Sequence, residues 1–359
     1  MDQNQSSLSQ LRILHLAGSS VSEFFYRLSL IYVQEVVQPP GVQSYYALVN
    51  PDGYWQLGTS LENLSQKMSF RDAIAQLPQI DVVVPHLFCV PGLTSYRSFF
   101  EDVLRLPVVG SPANCTSLSI DKYLTKSIVS ASGVRVANGQ LLRRGDTVKI
   151  KPPFIVKPNS KDNSVGLSLV RNQTQIAEAL RIGFEQEETL LIENYIPGRE
   201  LRVGVVELKG KLSVLPIIEY VFGSDSSIRS LDDKLELGAD GLPHKQPQKP
   251  AAKPICPAKV DSELFEKVAT AAKRAHRALG CRDYSLYDFR VETKTNEPYF
   301  LEAGLFWSFG HNSMISRMLV ADGQNLSDVA EKLWRTVAKR SHRDDFSVQG
   351  ESRSLVGQL

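Results

Sequence analysis

The chain has 359 residues, enough for two or three domains of roughly 150 residues each, and its 42% hydrophobic and 22% charged content is that of an ordinary globular protein. Lys plus Arg (41) against Asp plus Glu (39) leaves +2, which excludes the strongly basic footprint of a protein that lives on nucleic-acid phosphates. Cys89, Cys115, Cys256 and Cys281 form no CxxC pair and have no His spaced as a zinc ligand, so free thiols in a reducing compartment are expected rather than a disulfide scaffold or structural zinc.

Met1 to Gln10 is polar and lacks the basic and apolar regions of a secretion signal. Leu11–Ala17 is an apolar run ending at Gly18-Ser19-Ser20, and Glu23–Val37 carries Phe24, Leu28, Ile31 and Val33 at helical spacing, which predicts strand, turn, helix. Strands at Tyr45–Val49, Asp81–Val84 and Pro107–Val109 then alternate with helices at Phe70–Leu77 and Ser95–Leu104. Such alternation implies a parallel sheet with helices on its faces, forming a first α/β domain over residues 1–112. The most apolar stretch, Ile80–Leu93, is interrupted by Asp81, Pro85, His86 and Pro91 and falls short of the ~20 residues of a membrane span. A cytoplasmic protein with no membrane partner is expected.

A central region, 113–220, opens with a helix at Asp121–Ser132. Strands at Phe154–Lys157 and Gly166–Val170 flank a polar turn, a helix follows at Gln173–Arg181, and strands at Thr189–Glu193, Glu200–Glu207 and Lys211–Ile218 have links short enough for antiparallel pairing. A third region, 221–340, begins with a Pro- and Lys-rich stretch, Gly238–Lys259, whose composition predicts a mobile surface loop. It continues with a helix at Ser262–Leu279, strands at Tyr284–Glu292 and Pro298–Glu302, and two closing helices. Residues 341–359 read as a loose tail.

Three segments carry chemistry. In Pro153–Val170, PFIVKPNSKDNSVGLSLV, Lys157 closes an apolar strand before a small polar turn; backbone N–H groups of the turn and the lysine charge together suit a phosphate cradle, while a solvated hairpin is the alternative. In Leu190–Pro197, LLIENYIP, a strand-end carboxylate with Glu200 close behind suits an adenine amino group or ribose hydroxyls, or else an exposed acidic hairpin. Antiparallel neighbours Tyr287-Asp288-Phe289 and Phe300-Leu301-Glu302-Ala303 would bring Asp288 beside Glu302. Two adjacent carboxylates repel unless a cation lies between them, and Mg2+ carrying ATP phosphates fits that need.

The order of these clusters resembles the ATP-grasp ligases, specifically the D-alanine–D-alanine ligase branch. The likeness includes VVPH around His86, LPVVGSP at Leu106–Pro112, SIDKYLTK at Ser119–Lys126, IVKPNSKDNSVG, LIENYIPGREL, ICPA at Ile255–Ala258, GCRDYSLYDFRV and FLEAG. The resemblance implies an α/β, three-part ATP-grasp fold that uses ATP and Mg2+. Lys122 and Lys157 would contact phosphates with the Ser164 backbone over them. Glu193 and Tyr195, with Ile196 in the same linker, would frame the adenine, Glu200 would bind ribose, and Asp288 and Glu302 would hold Mg2+. Lys234, in LDDKLELG, falls where the family places another phosphate-contacting lysine, although the surrounding loop matches poorly.

Several positions depart from the family. Gly304 stands where the family has an asparagine metal ligand, with water or Asn312 as the substitute, and Leu286 replaces an arginine that stabilises the acyl-transfer intermediate. Asn163 and Leu235 replace the serine and tyrosine that help seat D-alanine, and Leu305–Asn312, LFWSFGHN, replaces a Pro-Gly loop. A more aromatic acceptor pocket suits a ring-bearing substrate. Within the branch the pattern is most similar to the cyanobacterial mycosporine-glycine amine ligases, which join serine or threonine to a cyclohexenone-derived ring. The expected reaction phosphorylates an acceptor oxygen and forms a C–N bond, with Lys157, Lys234 and Arg290 as catalytic residues and His86, Asn163, Trp307 and Asn312 facing substrate. Arg290, Arg317 and Lys259 are candidates for gripping carboxylates, a structural salt bridge being an equal reading for each, as a core position is for His86. A D-alanine–D-alanine ligase and a non-catalytic ATP-binding module are the alternatives. The expected partners are a small-molecule acceptor and an amino acid, with a homodimer left open.

Overall fold

The computed structural model describes residues 10–208, 210–223, 228–229, 236–238, 240–245 and 252–340; Lys234, Leu235, much of the Pro-rich stretch and the expected tail lie outside the described residues. Leu11–Gly18 (β1) buries both its faces, with Ile13 and Leu14 fully enclosed, so it needs partners on both edges and cover above and below. Val42–Val49 (β2) pairs with it in parallel, Trp55–Gly58 (β3) adds an antiparallel edge to β2, and Val82–Pro85 (β4) pairs in parallel on the other side. The expected strand at Pro107–Val109 contributes only a single bridge, Val83 to Val108. The helix expected over Ser95–Leu104 is one α-helical turn, Ser95–Ser98, running into a π-helical turn, Phe99–Val103.

A second sheet holds Gly139–Arg143 (β5), Phe154–Pro158 (β6), Ser168–Val170 (β7) and Thr189–Asn194 (β8) in the order β5-β8-β6-β7, all antiparallel. A third begins at Gly198–Leu208 (β9), followed by Lys211–Val214 (β10) and Ile218–Val221 (β11). The single strand expected over Lys211–Ile218 is therefore split at Pro216, which has no N–H to give to a ladder, and the halves pair with different stretches of β9. At the start of the expected loop, Glu236–Leu237 (β12), just before it, and Pro243–Lys245 (β13) form a hairpin, and further along Lys253–Ile255 (β14) pairs with β11. Tyr284–Glu292 (β15) and Pro298–Gly304 (β16) complete the order β14-β11-β9-β15-β16. The ladder passes from the second sheet to the third between Asn194 and Gly198, whereas a division at residue 220 falls inside the third sheet.

The helix Ser262–Ala278 turns Leu264, Val268, Ala272 and Ala275 onto the third sheet, where Val203, Val205, Phe289 and Phe300 receive them, and Val129 of the helix Lys122–Ala131 packs into the same core. The closing helices Met314–Ala321 and Leu326–Ala338 place Met318, Leu333 and Trp334 in a second core with Ile13, Val82 and Trp307. Between first and third sheets, buried Asp283 accepts a 2.7 Å hydrogen bond from the Gly110 N–H and pairs with Arg340. All four cysteines are free thiols, but the fold brings the Cys115 and Cys281 sulfurs to 3.5 Å despite their distance in sequence. Among the described residues no helix is long and apolar enough to cross a membrane.

Gly18 ends β1 at φ +89°, and a Cβ there would lie 2.1 Å from the Val49 carbonyl oxygen. Gly18→Ala should therefore cost about 2 kcal/mol or more, through steric overlap and left-handed backbone together, read as a lowered urea midpoint at unchanged slope.

Candidate active site

Lys157 lies in β6 next to β8, whose Glu193 pairs in register with Ile155. Lys157 Nζ sits 2.6 Å from Glu193 Oε1, and Lys126 Nζ sits 2.6 Å from Oε2 while donating a 3.0 Å hydrogen bond to the Phe300 carbonyl. All three groups are buried. Burial alone would raise the Glu193 carboxyl, but the two ammonium groups outweigh it and hold the pKa at about 2. Burial pushes Lys126 down to about 8, Glu193 opposing the shift and Lys157 adding to it. Sequence reasoning left Glu193 open for adenine; in the structure both its oxygens are held by lysines. Lys126 was missed because it reads as one polar position of a helix, one turn after Lys122.

Lys157 and Glu193 border a cavity between the second and third sheets, which brings together Lys122, Lys157, Ser164, Glu193, Tyr195, Ile196, Glu200, Arg290, Asp288 and Glu302. Lys122 begins a helix capped by Asp121 and donates to the Asn159 and Lys161 carbonyls, tying the helix to the polar turn. In that turn Asn163, Ser164 and Gly166 all have φ between +57° and +69°, a strained geometry for the two non-glycine residues. Arg290, expected to be catalytic, borders the cavity and holds the linker: it donates to the Tyr195 hydroxyl at 3.3 Å and to the Gly198 carbonyl at 3.2 Å, and lies 3.4 Å from Glu200. Glu200 also pairs with Arg229. The expected ribose carboxylate is thus held between two guanidinium groups.

Asp288 stands opposite Glu302 on β16 and opposite Arg202 on β9. Arg202 grips it with both nitrogens, at 2.5 and 2.6 Å, and Arg229 adds a contact at 2.8 Å while its guanidinium lies 3.9 Å from the centre of the Tyr220 ring. Two arginines therefore supply the positive charge that adjacent carboxylates require. Sequence reasoning found neither, since Arg202 looks like any polar residue of an alternating strand and Arg229 lies in a segment without pattern. Among the described residues no group of three His, Cys, Asp or Glu side chains gathers around a point, and Gly304 adds no donor. Two carboxylate ligands, with phosphates and water for the rest, satisfy Mg2+, so the donor set fits that ion with Asp288 and Glu302 as its holders.

A second cavity shares Arg229, Asp288 and Glu302 with the first. Its apolar wall is Tyr32, Phe88 and Phe306, with ring centres 4.9 to 6.3 Å apart, drawn from the helix Glu23–Gln34, the segment after β4 and the loop after β16. Asn163 and Leu286 border it as well. Trp307 reaches it from a core position, 1% exposed, where it stacks on Phe309 at 4.0 Å and donates to the Ser316 hydroxyl. Two expectations are corrected. His86 borders neither cavity; it is fully buried, 3.0 Å from His15, and burial holds both imidazoles well below their ordinary pKa. Asn312 is exposed and donates to Glu35, so it does not replace the metal ligand.

Breaking a buried charge cluster is costly, and Glu193→Gln should lower stability by about 3 to 5 kcal/mol at neutral pH by leaving two lysines facing each other. Because the folded pKa of Glu193, about 2, lies below its ordinary 4.5, its contribution is complete above about pH 4.5 and disappears as pH falls toward 2. Urea midpoints of wild type and variant should accordingly converge over that interval.

The family described as "D-ala D-ala ligase C-terminus" matches residues 140–335, more than half of the chain. A D-alanine–D-alanine ligase of Geobacter sulfurreducens is 27% identical over 65% of this chain and 69% of its own length, and one of Flavobacterium johnsoniae is 27% identical over 69% and 74%. Among solved structures, the VanG D-Ala:D-Ser ligase from Enterococcus faecalis superposes with a TM-score of 0.72 at 19% identity, over 92% of this chain and all of that one. The D-alanine–D-alanine ligase from Bacillus anthracis complexed with ATP superposes at 0.67 and 18%, over 92% of this chain and 97% of that one, and both share the fold. With the family matching more than half of the chain and the ATP-grasp fold shared over nearly all of it, the chain belongs to the D-alanine–D-alanine ligase family, as an ATP-dependent enzyme that forms carbon–nitrogen bonds using ATP and Mg2+.

Proposed function

We propose that ATP lies in the first cavity, the acceptor lies in the second, and the chemistry takes place where both meet, at Asp288, Glu302 and Arg229. That shared boundary is the observation that carries the reading. The acceptor oxygen takes the γ-phosphoryl group and ADP leaves; the amine of an amino acid then displaces phosphate, forming the C–N bond and releasing a proton. Lys122 and Lys157 neutralise phosphate charge, Ser164 covers it, and Tyr195 and Ile196 border the base. Mg2+ held by Asp288 and Glu302 would supply further positive charge to the phosphates. Arg202 borders the cavity that Leu286 also borders, so positive charge lies there, bound to Asp288, although residue 286 carries none. We assign residues 1–112 as the first of three parts of this fold, and place the division between the two clasping parts, over 113–340, where the chain crosses from the second sheet to the third at 194–198 rather than at 220.

The names of the relatives favour D-alanine as both acceptor and amine. A specific observation favours a second reading, in which mycosporine-glycine is the acceptor and serine or threonine the amine: the Tyr32, Phe88 and Phe306 wall offers a ring-sized apolar surface that a methyl side chain does not need. The deciding measurement is ADP release with D-alanine alone and with mycosporine-glycine plus serine or threonine. Turnover confined to D-alanine selects the first reading, turnover confined to the ring acceptor selects the second, and ATP binding without turnover on either would support a non-catalytic module. On whichever substrate turns over, Asp288→Asn should lower kcat roughly a hundredfold or more while the protein stays folded by circular dichroism.

A further inference from the structure

We infer that Arg317 is the carboxylate anchor of the second cavity, so that this cavity takes a ring-bearing carboxylate whose ring lies against Tyr32, Phe88 and Phe306. The inference deepens the ligase reading and rests on it for the identity of the cavity as an acceptor site. Three arginines border the cavity, and two of them are committed: Arg202 to Asp288, and Arg229 to Asp288 and Glu200. Arg317 differs. Its backbone N–H closes the first turn of the helix Met314–Ala321, and among the described residues its guanidinium forms no ion pair and no hydrogen bond. A partly exposed guanidinium in a concave site that apolar rings also line is matched by a carboxylate, which its planar fork can bind through two parallel hydrogen bonds.

The scaffold holds this cation in place. Ile315, Met318 and Leu319 bury the opposite face of its helix in the core, so Arg317 projects from a rigid element rather than from a loop. The apolar wall is equally fixed, because the three rings contact one another edge to face or tilted across three separate chain segments. A cation and an apolar aromatic wall lining one cavity form a site for an anion with a flat apolar body.

Equilibrium binding of benzoate and of benzamide, measured by calorimetry with ADP present, tests this without any requirement for turnover. Wild type should bind benzoate roughly tenfold or more tightly than benzamide. Arg317→Gln should abolish that preference and Arg317→Lys should restore part of it, while Phe306→Leu should weaken both probes alike. ADP affinity, which reads the first cavity, should remain unchanged in all three variants and reports that they are folded. An undiminished benzoate preference in Arg317→Gln, or no saturable benzoate binding to wild type, would overturn the inference. Failure of the ligase reading would appear separately, as intact nucleotide binding without ADP release on any acceptor.

Discussion

The register of three adjacent strands is the constraint on which the site depends. Arg202 on β9, Asp288 on β15 and Glu302 on β16 lie abreast because the hydrogen-bonded ladders pair 202 with 288 and 288 with 302. A slip by one residue would turn each of these side chains to the opposite face of the sheet. What prevents it is apolar: Tyr287 and Phe289, flanking Asp288, are fully buried with Leu201, Val203 and Phe300 under the helix Ser262–Ala278. The burial of one face therefore fixes the charges on the other, and those charges mark the boundary shared by both cavities.

Charge is balanced locally throughout. Glu193 is matched by Lys126 and Lys157, Asp288 by Arg202 and Arg229, and Glu200 by Arg229 and Arg290. Buried pairs of this sort are poor sources of net stability compared with apolar packing, since each ion has given up its hydration. Their concentration along one cleft fits a site that handles a polyanion. The overall charge of +2 gives no hint of this arrangement.

Much of the architecture was legible along the chain. Period-two and helical patterns located β1, β6, β8, β9, β15 and the helix Ser262–Ala278, because each buries one face or both over a continuous stretch. Short or compensated elements escaped. β3 and β5 present few apolar residues, and Pro216 divides what reads as one strand. In the site, Asp288, Glu302, Lys122 and Lys157 were legible from motif order, whereas Lys126, Arg202, Arg229, Tyr32 and Phe88 were not. For His86 the motif left a substrate contact and a core position equally open, and the pairing of β1 with β4 sends its ring to His15 in the core.

Local sequence is enough to place most strands and helices and the carboxylates and lysines at strand ends, because those properties follow from neighbours a few residues apart. Only the tertiary structure decided which cation meets which carboxylate. Arg202 and Asp288 are 86 positions apart, and Lys126 and the Phe300 carbonyl 174. Contacts at such separations are set by ladder register and by the packing of helices on sheets, and a charged side chain bears no local mark of the partner those will bring to it.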